Sequence, residues 1–281
     1  MENSKIKNYI IILLALVNIF LLYIVLNSAS EERQASNYRR QALETVLKSN
    51  GITLNPKITL PDKVPSQISL KRDLSSEHSK VGELLGNCEA QDQGGNIYYY
   101  SSENGDAQFR GTGDFEINLK SGILASGKDP AAAAKTALNK LEIAFSGNAP
   151  ALHSSGSDSK VTVNCSWNDT PVYNAAITLN FEDGWLIKIA GKRLLDSENP
   201  IASSGSFLDG VSVLMKFLES IHQTGAVCSE INDLRLGYFL STSVSGDCTL
   251  NPVWCILTDS QPYYIDALSG KALSTDSAAV S

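Results

Sequence analysis

The sequence predicts an α+β fold: an N-terminal transmembrane helix, then antiparallel sheets with helices on one face, in repeated α-β-β-β units. Three observations point there. An apolar run extends from Tyr9 to Leu26, broken only by Asn18. Short β-type runs flank Asn104-Gly105 and Asp183-Gly184, dipeptides suited to tight hairpin turns. Between Asp129 and Leu273 the order helix, strand, strand, strand occurs twice, at a period of roughly 75 residues.

The elements follow in order. Residues 1–8 form a short tail carrying Lys5 and Lys7, and residues 9–27 form the transmembrane helix. About 18 apolar residues at about 1.5 Å each reach roughly 27 Å, close to the thickness of a bilayer's hydrocarbon core. Signal-peptide apolar regions are shorter, about 7 to 15 residues. Ser28-Ala29-Ser30 nevertheless offers a small-x-small site for a peptidase, so a cleaved signal is the alternative to a retained anchor. Tyr9 and Tyr23 sit near the two ends, where aromatic rings favour the membrane interface. Asn18, near the centre, is a polar handle for a partner's membrane helix. Lys and Arg counts do not separate the two sides, and the large C-terminal part is placed outside the cytoplasm.

Residues 28–50 read as a juxtamembrane helix, with Ala35, Leu43, Val46 and Leu47 near helical spacing and Asn50-Gly51 as its stop. Residues 51–127 form an N-terminal extracytoplasmic α+β domain. Its prolines alternate with β-type runs at 58–60 and 67–71, which suits edge strands or extended connections. A short helix is expected over 79–85 and a three-strand meander over 96–120, with Phe115, Ile117 and Leu119 alternating. Residues 128–281 form a C-terminal domain of two α-β-β-β units. Asp129 caps the first helix and Pro130 suits its first turn. The second helix runs over about 207–222, with Val211, Leu214, Phe217, Leu218 and Ile221 on one side. Its strands are DLRLGYFLSTSV, NPVWCILTD and QPYYIDALSGKAL.

The chemistry is sparse. Net charge is −7 over 281 residues, with no cluster of Lys and Arg, which argues against a nucleic-acid partner. Five cysteines are an odd number. One bridge among Cys228, Cys248 and Cys255 is open to a chain in an oxidising compartment; otherwise the cysteines serve as small buried hydrophobes. His78, His153 and His222 have no second ligand at metal-binding spacing, and there is no CxxC, HExxH, GxSxG or phosphate-binding glycine loop. No catalytic, metal-binding or cofactor-binding residues are expected, and the chain does not read as an enzyme. Trp167, Trp185 and Trp254 read as core or hairpin anchors.

The opening SKIKNYIIILLALVNIFLLY resembles that of the YycI-type regulators, through Ser4, Lys5, Lys7, Asn18, Phe20, Leu21 and Leu22; Asn3 stands where the family often has tryptophan. The C-terminal NPVWCILTDSQPYYIDALSGKAL resembles the last hairpin of PepSY-type domains, through Pro252, Trp254, Tyr264, Asp266, Ala267, Gly270 and Leu273. The resemblance implies a single-pass cell-membrane protein with a cytoplasmic N-terminus and PepSY-like extracytoplasmic domains. It implies a sister YycH-type partner and regulation of a sensor histidine kinase of the WalK (YycG) type, which governs cell-wall metabolism. Besides membrane lipid, contact would run through Asn18, Phe20, Leu21 and Leu22, while Trp254, Tyr264, Asp266 and Gly270 would build the hairpin. The alternative is a PepSY-type exported module that inhibits or chaperones a peptidase, or binds cell-wall material.

Overall fold

The computed structural model describes residues 14, 17–18, 20, 34, 37–61, 64–120, 122–146, 150–155, 157–200, 206–242 and 248–274. Among these, α1 covers 37–49. It is followed by β1 (Thr53–Leu54), β2 (Ile68–Lys71), α2 (Leu74–Leu85), β3 (Glu89–Asp92), β4 (Ile97–Ser102), β5 (Gly105–Arg110) and β6 (Asp114–Leu119). Next come α3 (Pro130–Lys140), β7 (Ala151–Ser155), β8 (Asp158–Trp167), β9 (Thr170–Glu182), β10 (Trp185–Lys192) and β11 (Ser197–Pro200). The described chain closes with α4 (Gly210–Thr224), β12 (Glu230–Thr242), β13 (Cys248–Thr258), β14 (Pro262–Asp266) and β15 (Ala272–Leu273).

Local chemistry sets most of these boundaries. Asp129 accepts hydrogen bonds from the amides of Ala131 (3.0 Å) and Ala132 (3.1 Å), and Pro130 follows in the first turn of α3. Asp73 caps α2 and Asp209 caps α4 in the same way. Asp183 and Gly184 both take positive φ between β9 and β10, the geometry of a type I′ hairpin turn. Asn168 and Asp169 do the same between β8 and β9. At the other expected hairpin the turn falls on Glu103-Asn104, because Gly105 already pairs with Ser102 as the first residue of β5.

Two core clusters result. In one, α2 packs on β4 and β5, α3 packs on β8, and the two helices touch. Val81, Leu85, Ala137 and Leu138 meet Tyr100, Ile117, Val161, Ile177 and Ile189 there. In the other, Leu43 and Leu47 of α1 and Val213, Leu214 and Phe217 of α4 cover Ile231, Trp254, Ile256 and Ile265.

The expected fold class is corrected. Among the described residues no helix is long and apolar enough to cross a membrane, so the described fold is a sheet-rich α+β one without that expected element. Within 9–27 only residues 14, 17, 18 and 20 are described, and they supply no continuous apolar span; the rest of that expectation lies outside the described residues. The sheet is mixed, not antiparallel throughout. An antiparallel array runs β3-β4-β5-β6-β10-β9-β8-β7. It joins β12 through a parallel pairing of Val172 with Tyr238, and β1 also pairs with β12 in parallel. Beyond β12 lie β13, β2 and β11, with β14 and β15 beside β13. The Asn174 side chain reinforces the junction: its amide donates to the Leu240 carbonyl (2.8 Å) and its oxygen accepts from the Leu240 amide (2.7 Å), as a peptide group would. A helix followed by an antiparallel meander occurs three times, not twice, because α2 with β4, β5 and β6 makes the first such set.

Candidate functional site

Two places stand out: a buried ionic cluster beside a cavity, and the outer surface of α4.

The cluster is assembled from the residue before α2, from α2 itself, and from the segment after β10. Glu77, on α2, is 1% exposed. Arg72 grips it through two bonds, Nε to Oε2 (2.8 Å) and Nη2 to Oε1 (2.6 Å), and Arg193 Nη2 donates to Oε2 from the other side. Tyr100 donates its hydroxyl proton to Oε1 (2.8 Å). Such charge-assisted, partly bidentate bonds offset the large cost of taking these charges out of water. Burial first, and then the Glu77 carboxylate, push the Tyr100 phenol above its ordinary pKa. Arg72 also lies over the Tyr98 ring (5.0 Å) and Arg193 over the Phe109 ring (5.1 Å).

The cluster continues outward. Asp196 takes a bond from Lys80 Nζ, and its Oδ2 lies 3.5 Å from Arg193 Nη1, an ion-pair distance without hydrogen-bond alignment. Lys80 is also 3.5 Å from Glu142, whose side chain is 71% exposed. Here a cavity of about 150 Å³ opens. Its walls are Lys80, the 141–144 segment after α3, Ser166 and Trp167 at the end of β8, and the 193–196 segment. Three buried polar atoms on residues of this wall have no hydrogen-bond partner among the described residues: Trp167 Nε1, Arg193 Nε and Asp196 Oδ2. Leaving such an atom unpaired costs about 1–3 kcal/mol. Backbone contact fixes Arg193 in place. Its amide donates to Gly113 (2.9 Å), and a Cβ on Gly113 would lie 2.5 Å from the Arg193 carbonyl oxygen. Sequence reading missed this cluster because its partners lie 116 residues apart and no local period joins them.

The second place lies on α4. Val213, Leu214, Phe217 and Ile221 face inward, Phe217 against the Tyr263 ring (5.0 Å). At the margin of the same apolar stripe, half-buried Val211 and exposed Met215, with Leu208 just before the helix and the buried Leu218, line an open hollow of about 670 Å³. Met215 is 43% exposed, and an ion pair of Lys216 with Glu219 (2.9 Å) stands beside it.

The expected hairpin residues support this surface from below. Trp254 is fully buried and its indole donates to the Leu208 carbonyl (3.1 Å). Asp266 accepts from the Leu268 and Ser269 amides at 3.1 and 2.6 Å. Gly270, at φ +71°, lies so near Leu208 that a Cβ would approach it to 3.0 Å. Tyr264 packs between Tyr173 and Phe239, at 5.0 and 5.1 Å. Of the expected membrane contacts, Asn18 is helical and donates its amide to Leu14 one turn back (3.0 Å), and Phe20 is exposed; Leu21 and Leu22 lie outside the described residues. Cys165, Cys248 and Cys255 are buried, and Cys88 and Cys228 are half-buried.

No family model matches the chain, and no curated protein matches it. Among solved structures, an uncharacterized protein from Eubacterium rectale is similar at 10% identity and a TM-score of 0.49, over 79% of this chain and 89% of that one. The YpeB C-terminal domain of Bacillus megaterium is similar at 12% identity and a TM-score of 0.32, over 73% of this chain and 97% of that one. Both scores lie below one half, and neither assigns a family.

Proposed function

We propose that this chain is a YycI-type regulator that acts at the cell membrane, outside the cytoplasm, and adjusts a WalK (YycG)-type sensor histidine kinase together with a YycH-type sister protein. On this reading it works by contact and catalyses nothing. One observation carries the reading: the apolar stripe of α4 extends past what the core covers, through half-buried Val211 to Met215, which is 43% exposed and opens onto a hollow of about 670 Å³. A surface helix of a self-contained domain normally turns its apolar stripe to the core. The exposed margin, Val211 and Met215 with Leu208 beside them, offers a hollow into which an amphipathic helix of a partner can lay its apolar side. Lys216 and Glu219 at its border supply both charges for fixing register. The test is a photo-crosslinking residue at position 215 of the full chain, expressed in its own host. The kinase or the YycH-type protein is the expected adduct. An exported peptidase as the sole adduct would overturn the reading in favour of the inhibitor or chaperone alternative.

A further inference from the structure

We propose that the cavity beside the buried ionic cluster binds a small carboxylic acid carrying a hydrogen-bond donor on the adjacent carbon, an α-amino or α-hydroxy acid. The site stands apart from the α4 surface and does not depend on the regulator reading.

The inference rests on four features. First, the buried atoms of the cavity's wall residues that lack a hydrogen bond among the described residues are two donors, Trp167 Nε1 and Arg193 Nε, and one acceptor, Asp196 Oδ2, which has only the 3.5 Å ion-pair contact with Arg193. Buried polar atoms in folded proteins are almost always paired, so the set specifies a complement: an acceptor group for the two N–H bonds and a donor for the carboxylate. A carboxylate with a neighbouring ammonium or hydroxyl carries both. Second, the charge favours an acid. Arg72, Arg193 and Lys80 are all at least four-fifths buried, and only Glu77 and Asp196 answer them from within; Glu142, the third carboxylate, is largely in water. Third, the cavity of about 150 Å³ suits a ligand of a few heavy atoms, and Leu141, Ile143, Leu194 and Leu195 give it an apolar wall for a short side chain. Fourth, the Arg193 guanidinium is already held by Glu77 and Phe109, so its free Nε edge is preorganised.

The experiment is isothermal titration of the full chain with alanine, lactate and acetate, alongside the variants Trp167→Phe and Lys80→Gln. Trp167→Phe keeps the ring's bulk but removes the indole donor, and Lys80→Gln removes a cation without touching Arg193. Millimolar binding of alanine or lactate is expected, at least tenfold weaker binding of acetate, which lacks the second group, and at least tenfold weaker binding in each variant that keeps the wild-type unfolding midpoint. The stronger of alanine and lactate identifies the donor. Absence of binding by all three acids means a cavity that holds only water and overturns the proposal. Equal binding of acetate, or undiminished binding in a folded variant, overturns it as well.

Discussion

Glu77 is a carboxylate held between two guanidinium groups and a phenol at 1% exposure. Removing its charge leaves Arg72 buried without its counter-ion and Arg193 with only Asp196, at 3.5 Å, and breaking a buried ion pair in this way costs about 3–5 kcal/mol. Glu77→Gln preserves shape, so packing loss does not confuse the result. Urea unfolding at neutral pH should show that loss, and a change below about 1 kcal/mol would mean that the cluster contributes little net stability. In the sequence this residue gave no sign of its place. It lies in LSSEHSKVGELL, upstream of the short helix expected over 79–85, and in the structure Val81, Leu84 and Leu85 are the apolar residues of α2 that face inside. Hydrophobic periodicity finds apolar contacts; it cannot register a core position filled by a charge whose partners arrive from elsewhere in the chain. Trp254 is the opposite case. Its ring is buried in the run 252–256 of β13, where the apolar Val253 and Ile256 already marked it in the sequence as a core or hairpin anchor.

At the scale of elements, turns and caps were the most legible features, because they depend on neighbours in sequence. Asp129-Pro130 and Asp183-Gly184 act locally, and the structure places a helix start and a hairpin turn there. Pairings between distant strands left no such trace. β2 joins β13 at Ser69 with Thr249, and β12 joins β9 at Tyr238 with Val172. The stretch at 58–60 has β-type residues but finds no partner strand, while Thr53–Leu54 pairs with β12. Gly113 shows how such junctions constrain the site. With φ at +89° and the Arg193 backbone against it, the position excludes a side chain. Gly113→Ala is expected to destabilise by more than about 1 kcal/mol, from the left-handed backbone and from displacement of the Arg193 carbonyl. A thermal unfolding midpoint equal to that of the unsubstituted protein would show that the contact yields without cost.

At the scale of the whole molecule, buried protonated groups give the stability a pH signature. Burial pushes the Cys255 thiol up to about 11, the Tyr264 phenol up to about 12 and the Cys165 thiol up to about 12, and it raises Tyr100 and Tyr173 as well. The unfolded chain releases thiol protons near its ordinary value of 9.0, while the folded chain retains them. The folded state then binds more protons than the unfolded state, so stability is whole below about pH 9 and is lost as pH rises towards the folded values. Each such group contributes a slope of up to about 1.4 kcal/mol per pH unit. Urea unfolding should give a free energy nearly flat between about pH 7 and 8.5 and falling steeply between about pH 9 and 11; a curve flat to pH 11 would contradict this account of the two cores. The central claim concerns the exposed apolar margin of α4 around Met215, and its most direct measurement is the autophosphorylation rate of the WalK-type kinase in vesicles containing the YycH-type protein. The full chain is added either unchanged or as Met215→Asp, which places a charge in the hollow while leaving the inward side of α4 intact. The account predicts that the unchanged chain alters the rate and that Met215→Asp, folded to the same midpoint, leaves it at the chain-free value. An unaltered rate with the unchanged chain, or an equal effect from the variant, would contradict it.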